Sequence, residues 1–351
     1  MNKKVASLLG SWDFFLALLF VCAFAYACVS VPHFSDPFNL SQAGAEMTEK
    51  ALMLLPMVLL IIVREIDLSI ASILAFCSVI LGMMVRAGAP LPLAIPVVLL
   101  AGIAAGAVNG YVVCRLGLPS LIVTLGTMAL FRGLGYILLG AGAINTLPDS
   151  LTNFGLNTIG PVPIPWVTVP FIIAAVLFTV VLQCTPLGRK IYAVGGNPAV
   201  ARYSGIRVNR IRFGLFVVSG LMSALAAIIL TARLSNARAN NAFGYELDVI
   251  TIAFLGGISV FGGKGNYIGV FFALGLVALT RNVLGLRGMG GDDQGIAVGL
   301  LLILSLLLTN TIQRFVTYAK IRRSLRGVDG AKVEPQKASA SSGSPRAPFS
   351  S

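Results

Sequence analysis

Apolar residues fall into ten long runs, at roughly 14–31, 45–63, 68–85, 92–114, 119–140, 166–184, 211–231, 247–262, 266–285 and 295–313. Most approach the ~20 residues that an α-helix needs to cross the hydrocarbon of a bilayer. The pattern predicts an all-α, polytopic transmembrane helical bundle of about ten spans. The eighth run is the weakest, being short, rich in glycine (Gly256, Gly257, Gly262, Gly263) and headed by Glu246 and Asp248, so the span count is open by one.

The polar stretches between the runs are uneven in charge. Leu187–Arg212, LGRKIYAVGGNPAVARYSGIRVNRIR, carries six Lys/Arg and no Asp/Glu, and it cannot be a span. Positive loops stay on the cytoplasmic side. With both termini there, 19 of the 26 Lys/Arg lie in cytoplasmic segments: Lys3, Lys4, Arg64, Arg115, six in the basic loop, Lys264 and eight from Arg314 onward. Lys50, Arg86, Arg233, Arg238, Arg281 and Arg287 fall outside, and Arg132 falls within a span. Residues 1–313 therefore form the membrane domain, with 187–212 as its main cytoplasmic loop. Residues 314–351 form a basic tail whose Ser/Ala/Pro-rich end is expected to be disordered. The outer stretch Ala141–Pro165 has no Lys/Arg and ends in alternating prolines that resist helix.

Composition agrees with the pattern. At 57% apolar and 11% charged residues, the chain has no soluble domain that could use its net charge of +13 to hold nucleic acid. The five cysteines lie in or beside apolar runs with no C-x-x-C pair, and they read as small core residues. Ala25-Tyr26-Ala27 has the small-x-small form of a signal cleavage site, but an uncleaved first helix serves equally well before so many further spans.

Enzymatic readings fail. His33 is the only histidine, which excludes a multi-histidine metal site and leaves no convincing catalytic pair. Gly263-Lys-Gly-Asn-Tyr-Ile-Gly269 matches neither phosphate-loop pattern, so any ATP must bind elsewhere. An ion-coupled transporter would need an acidic relay deep in a span, whereas the carboxylates here cluster at span ends and in loops.

Several local patterns have two readings. Glu65, Asp67 and Ser69 stand where span three begins; Asp67 can cap its free N–H groups, or Arg64, Glu65 and Asp67 can border a translocation path. Glu65-Ile-Asp67-Leu resembles Glu246-Leu-Asp248-Val at the head of span eight. The two lie on opposite sides under the ten-span scheme, as in an inverted repeat of spans two to five and seven to ten. Arg132 costs about 2.5–3.5 kcal/mol inside a span, so it faces protein or water, as a structural clamp or as a contact lining a polar path. Gly133 and Gly135 beside it invite a neighbouring helix. Gly102, Gly106 and Gly110 form a small-residue packing face, and Gly295 and Gly299 are expected to act similarly.

Four ordered stretches, Glu65-Ile-Asp-Leu-Ser, LPSLIVTLGTMALFRG (118–133), GRKIYAVGGNPAVARYSGI (188–206) and GYELDVITIAFLGGISVFGGKG (244–265), resemble the permease subunits of bacterial monosaccharide ABC importers. The family includes ribose, xylose, arabinose, rhamnose and autoinducer-2 permeases, and the likeness runs from about residue 12 to 313. SWDFF, TEKALM, EIDLS and LGTMALFRG most resemble a rhamnose-import permease. Arg64 departs from the family, which usually has a small residue there.

The resemblance implies an inner-membrane permease dimer, of two copies or of this chain and a related partner. It also implies two cytoplasmic ATPase domains that bind ATP and Mg, a periplasmic sugar-binding protein, and no cofactor on this chain. The positions matching the ATPase-coupling motif are Gly195, Gly196, Asn197, Ala201, Arg202, Ser204, Gly205 and Ile206; Asn197 and Pro198 can start a short helix and Gly205 can end it. No catalytic residue is needed. Asn109, Thr124, Thr127, Arg132 and Asn282 are candidates for the sugar path, and Glu65, Asp67, Ser69, Glu246 and Asp248 for gating or helix capping.

Overall fold

A computed structural model describes residues 12–160, 164–291, 293–301 and 303–304. Lys3, Lys4, the centre of the proline run, the end of the tenth apolar run and the basic tail lie outside the described residues. Each of the first nine runs contains a helix: α1 (Trp12–Ser30), α2 (Pro37–Ile62), α3 (Ile70–Arg86), α4 (Leu91–Arg115), α5 (Ser120–Leu139), α7 (Thr168–Cys184), α10 (Val208–Leu234), α11 (Tyr245–Leu255) and α12 (Tyr267–Leu286). A short helix, α6 (Asp149–Leu156), interrupts the stretch 141–165, and α8 (Pro186–Gly196) and α9 (Pro198–Tyr203) fill the basic one. Residues 293–301 of the tenth run are also helical.

Among the described residues, five helices, α1, α4, α5, α10 and α12, are long and apolar enough to cross a membrane, and α7 with α8, bent by 70°, would make a sixth. The other runs depart from that rule for visible reasons. α2 carries Glu46, Glu49 and Lys50, α3 has 17 residues, and α11 has 11, about 16 Å of rise. The eighth run is thus a half-length helix followed by Gly-rich irregular backbone. Such backbone is tolerated at membrane depth where protein surrounds it.

α2 is the hub. TEKALMLLPMVLLIIV has no polar face beyond its first residues, and a helix apolar all round belongs inside; every residue from Met47 to Val63 is buried. α10 lies antiparallel to it, since Asp67, just beyond α2, meets Ser219 while Glu49 meets Arg233. Around this pair α1, α4, α5 and α7 turn Leu18, Leu100, Ile122, Ile137, Ile173 and Val176 outward, an apolar surface suited to lipid. The cysteine expectation is corrected accordingly. Only Cys77 is buried; Cys22, Cys28 and Cys184 lie on these outward faces.

The small-residue face of α4 packs as expected. A Cβ on Gly102 would come within 2.5 Å of the Gly220 carbonyl oxygen of α10, and one on Gly106 would overlap the Phe216 carbonyl oxygen. Among the described residues, nothing lies within 4 Å of where a Cβ on Gly295, Gly299 or Gly133 would stand. Gly135 meets Ala239 and, on the neighbouring α3, Val79, both at ordinary contact distance. Gly155 of α6 lies against the Ala232 carbonyl, so the stretch 141–165 contains a docked helix before its prolines.

Candidate functional site

The coupling-motif residues form one structure at the end of the bundle that holds the basic segment. Pro186 opens α8, and Thr185 Oγ1 accepts from Gly188 N at 3.4 Å. Asn197 then caps α9, its Oδ1 accepting from Ala199 N and Val200 N at 3.0 and 3.2 Å. Pro198 suits the first helical position, where no N–H is required. At the other end Ile206 N bonds Ala201 O at 3.0 Å and Gly205 takes φ +80°, a C-terminal turn that glycine adopts without a Cβ penalty. Ala201 is buried and Ile206 is half-buried against the core, while Arg202, Ser204, Val200 and Tyr203 point away, Tyr203 being 94% exposed. α9 is therefore a capped helix held on one side and presented on the other.

The flanks of this segment are tied to the bundle. Arg212 pairs with buried Glu65 at 3.1 Å, Asn209 Nδ2 donates to Cys114 O at 2.9 Å, and the Tyr192 hydroxyl donates to Gly265 O at 2.6 Å. Partial burial raises the Tyr192 phenol above its ordinary pKa, so it remains a donor at neutral pH. Arg64 reaches the carbonyl oxygens of Gly195 and Gly196. Its charge was visible in the sequence; its partners, more than a hundred residues away, were not.

The Glu65–Ser69 break has a different role from the expected cap. Ser69 stands at the N-cap of α3 and makes no side-chain cap bond. Fully buried Asp67 accepts from Ser69 N and Ser69 Oγ at 3.0 and 2.6 Å through Oδ1, and from Ser219 Oγ of α10 at 2.9 Å through Oδ2. Asn109 Nδ2 donates to Ser69 Oγ at 2.7 Å, and Thr124 Oγ1 to Ser120 O at 2.8 Å. The carboxylate ties α10 to the break instead of capping α3. Glu49 and Asp67 are both fully buried, so a carboxylate near the end of an apolar run need not face solvent.

The opposite end carries an ionic cluster. Glu49 pairs with Arg233 at 2.7 Å; Asp248 takes Lys50 at 2.8 Å and both carboxylate contacts of Arg281 at 2.7 Å; Lys50 also lies 4.3 Å from the Tyr245 ring centroid. Arg212 and Arg233 are 21 positions apart on α10, about 31 Å of rise, so the two charged regions stand one bilayer core apart. Arg132 donates to Ala239 O and Asn241 O at 2.9 and 2.8 Å, clamping the loop before α11. Glu246 lies near Arg132 at the head of α11, with one buried oxygen unpartnered.

The path candidates are dispersed. Asn109 and Thr124 belong to the Asp67 knot, Thr127 bonds Thr124 O at 3.4 Å, Arg132 holds the opposite loop, and Asn282 pairs reciprocally with Asn39 at 2.9 Å beside a cavity of about 180 Å³. A larger cavity of about 760 Å³, between α2, α7 and α12, is lined mainly by apolar side chains such as Phe171, Phe271 and Leu274. It contains none of the candidates, and its Thr48, Thr168 and Thr179 hydroxyls are spent on backbone carbonyls.

Trp12 and Asp13 of SWDFF were missed as site residues. Trp12 Nε1 donates to Leu255 O at 2.9 Å, closing the free end of α11, and Asp13 accepts from Asn266 Nδ2 at 2.8 Å. Their place in a recognised stretch was a signal. The distance to their partners hid the contact.

Outward apolar helices packed around a buried hub mark a multi-pass membrane protein. The chain belongs to the family described as branched-chain amino acid transport system / permease component, whose model matches residues 48–310. It is 35% identical to the ribose import permease protein of Haemophilus influenzae, over 88% of this chain and 96% of that protein. Identity is 32% to an autoinducer 2 import system permease protein of Yersinia enterocolitica, covering 84% and 90% of the two chains. For the ribose import permease protein of Bacillus subtilis it is 33%, covering 79% and 86%. No solved structure matches the chain.

Proposed function

We propose that this chain is the inner-membrane permease subunit of an ATP-binding-cassette importer that moves a monosaccharide into the cytoplasm. The carrying observation is α9, a short helix capped at both ends, anchored by Ala201 and Ile206 and exposed through Val200 and Tyr203. That form suits a cleft on a separate ATPase, which binds ATP and Mg and drives the bundle between outward- and inward-open states. The dispersal of the path candidates favours a sugar path completed by a second permease subunit, with a periplasmic binding protein delivering the sugar.

The similar proteins named for ribose and autoinducer-2 import make those the first substrates to try. The rhamnose reading rests on motif spelling alone. Proteoliposomes containing this chain, its ATPase and its binding protein are expected to take up one member of a ribose, rhamnose and autoinducer-2 panel only with ATP, and to ignore ion gradients. Uptake driven by a proton or sodium gradient without ATP would sink the assignment, and the substrate found would decide among the sugars.

Ten spans with both termini cytoplasmic remain the proposed topology, supported by the distribution of Lys/Arg. Single cysteines replacing exposed Ser150 and Ser204 in a cysteine-free background should label from opposite sides. If an impermeant reagent added outside reached both, the scheme would be wrong.

A further inference from the structure

We infer that Arg64 is a positioning residue that transmits displacement of α9 into the bundle, by holding the C-terminus of α8 against both of its helix breaks. This rests on α9 being the helix that docks the ATPase. Arg64 follows the end of α2 with φ +67°, in the left-handed region, which turns the chain sharply toward Glu65. Its Nε donates to Gly195 O at 2.7 Å and its Nη2 to Gly196 O at 2.6 Å. These carbonyls belong to the last turn of α8, where no intrahelical N–H is left to bond them and where the helix dipole favours a cation. A guanidinium reaches two adjacent carbonyls with a fixed fork; an ammonium is a single point charge.

The same spot closes on its other side. Gly263 N, in the turn after α11, donates to Ile62 O at 2.9 Å. The fit leaves no room for side chains: a Cβ on Gly195 would overlap the Ile62 carbonyl oxygen, one on Gly262 would meet Arg64 Cγ, and one on Gly263 would lie 2.8 Å from Gly196 Cα. The end of α8 is thus held between the break after α2 and the break after α11. Asn197 alone separates α8 from α9, so α9 cannot shift far without carrying Gly195 and Gly196 with it. Arg212, pairing with Glu65, reaches the first of these breaks from the other flank of the segment.

The test uses the full transporter in proteoliposomes, with Arg64→Gly and Arg64→Lys. Glycine accepts the positive φ, so the turn is kept while both bonds are lost. Arg64→Gly is expected to copurify with the ATPase and to show wild-type basal hydrolysis. Sugar transported per ATP and stimulation by the loaded binding protein should fall about tenfold, within the range of about 5–150-fold typical of coupling between sites. Arg64→Lys, able to hold one carbonyl at a time, should recover part of that loss. Wild-type transport per ATP and wild-type stimulation in Arg64→Gly would overturn the inference. So would a lower membrane yield with unchanged transport per molecule in both variants, because that outcome assigns Arg64 to folding alone. Failure of the unmodified chain to associate with its ATPase would instead defeat the docking role of α9.

Discussion

Gly106→Leu is expected to abolish the folded permease. The added side chain would enter the backbone of α10 at Phe216, and a main-chain carbonyl cannot swing aside as a flexible side chain can. Overpacking a well-fitted interior costs about 1–3 kcal/mol even where side chains can adjust, and Gly220 leaves no slack, because its own Cβ would strike the Gly102 carbonyl. Helices α4 and α10 would have to separate. Monodisperse protein on fluorescence-detected size exclusion should disappear, and transport with it. Gly126→Leu is the control, since Gly126 lies exposed on α5 with nothing within 4 Å. Equal behaviour of the two variants would mean that α4 and α10 do not cross at these glycines.

Glu49→Leu should destabilise the protein by about 3–5 kcal/mol, the usual consequence of leaving one member of a buried ion pair alone. Glu49 is fully buried, Arg233 is partly buried, and their 2.7 Å contact joins the two central helices at the end away from α9. The informative variant is the double one. Glu49→Leu with Arg233→Leu should recover most of the loss, because two apolar side chains of similar bulk remove both desolvation penalties together. Thermal inactivation midpoints of the purified permease in detergent would show this as strong non-additivity. If the double variant is as unstable as the sum of the single ones, the two residues do not act as a pair.

Apolar periodicity was enough to place the helices, because in lipid the backbone has few alternatives to helix and a run of uncharged residues states its own boundaries. Capping chemistry was equally local. Asn197-Pro198 and Gly205 mark α9 within two residues of where it starts and ends. What could not be read was pairing at long range. Asp67 offers its neighbours a cap, and only the approach of Ser219, 152 positions later, shows that it ties two helices instead. Arg64 looked like a disturbance of a familiar motif because its partners lie 131 and 132 positions away. Gly295 and Gly299 show the converse: spacing marks a smooth face but does not say which helix lies on it, and none of the described residues does.

The contact between Trp12 and the end of α11 sets an order for the protein's synthesis. The indole leaves the ribosome before the carbonyl that it closes, Leu255 O, which follows 243 residues later. At ~5–20 residues per second that interval is about 12–50 s. Through it the first helix must stay in the membrane without its final partner, and Asp13 waits longer still for Asn266. Helix α1 is thus inserted early and locked late, which makes it the latch on a bundle that closes only when α12 begins to emerge.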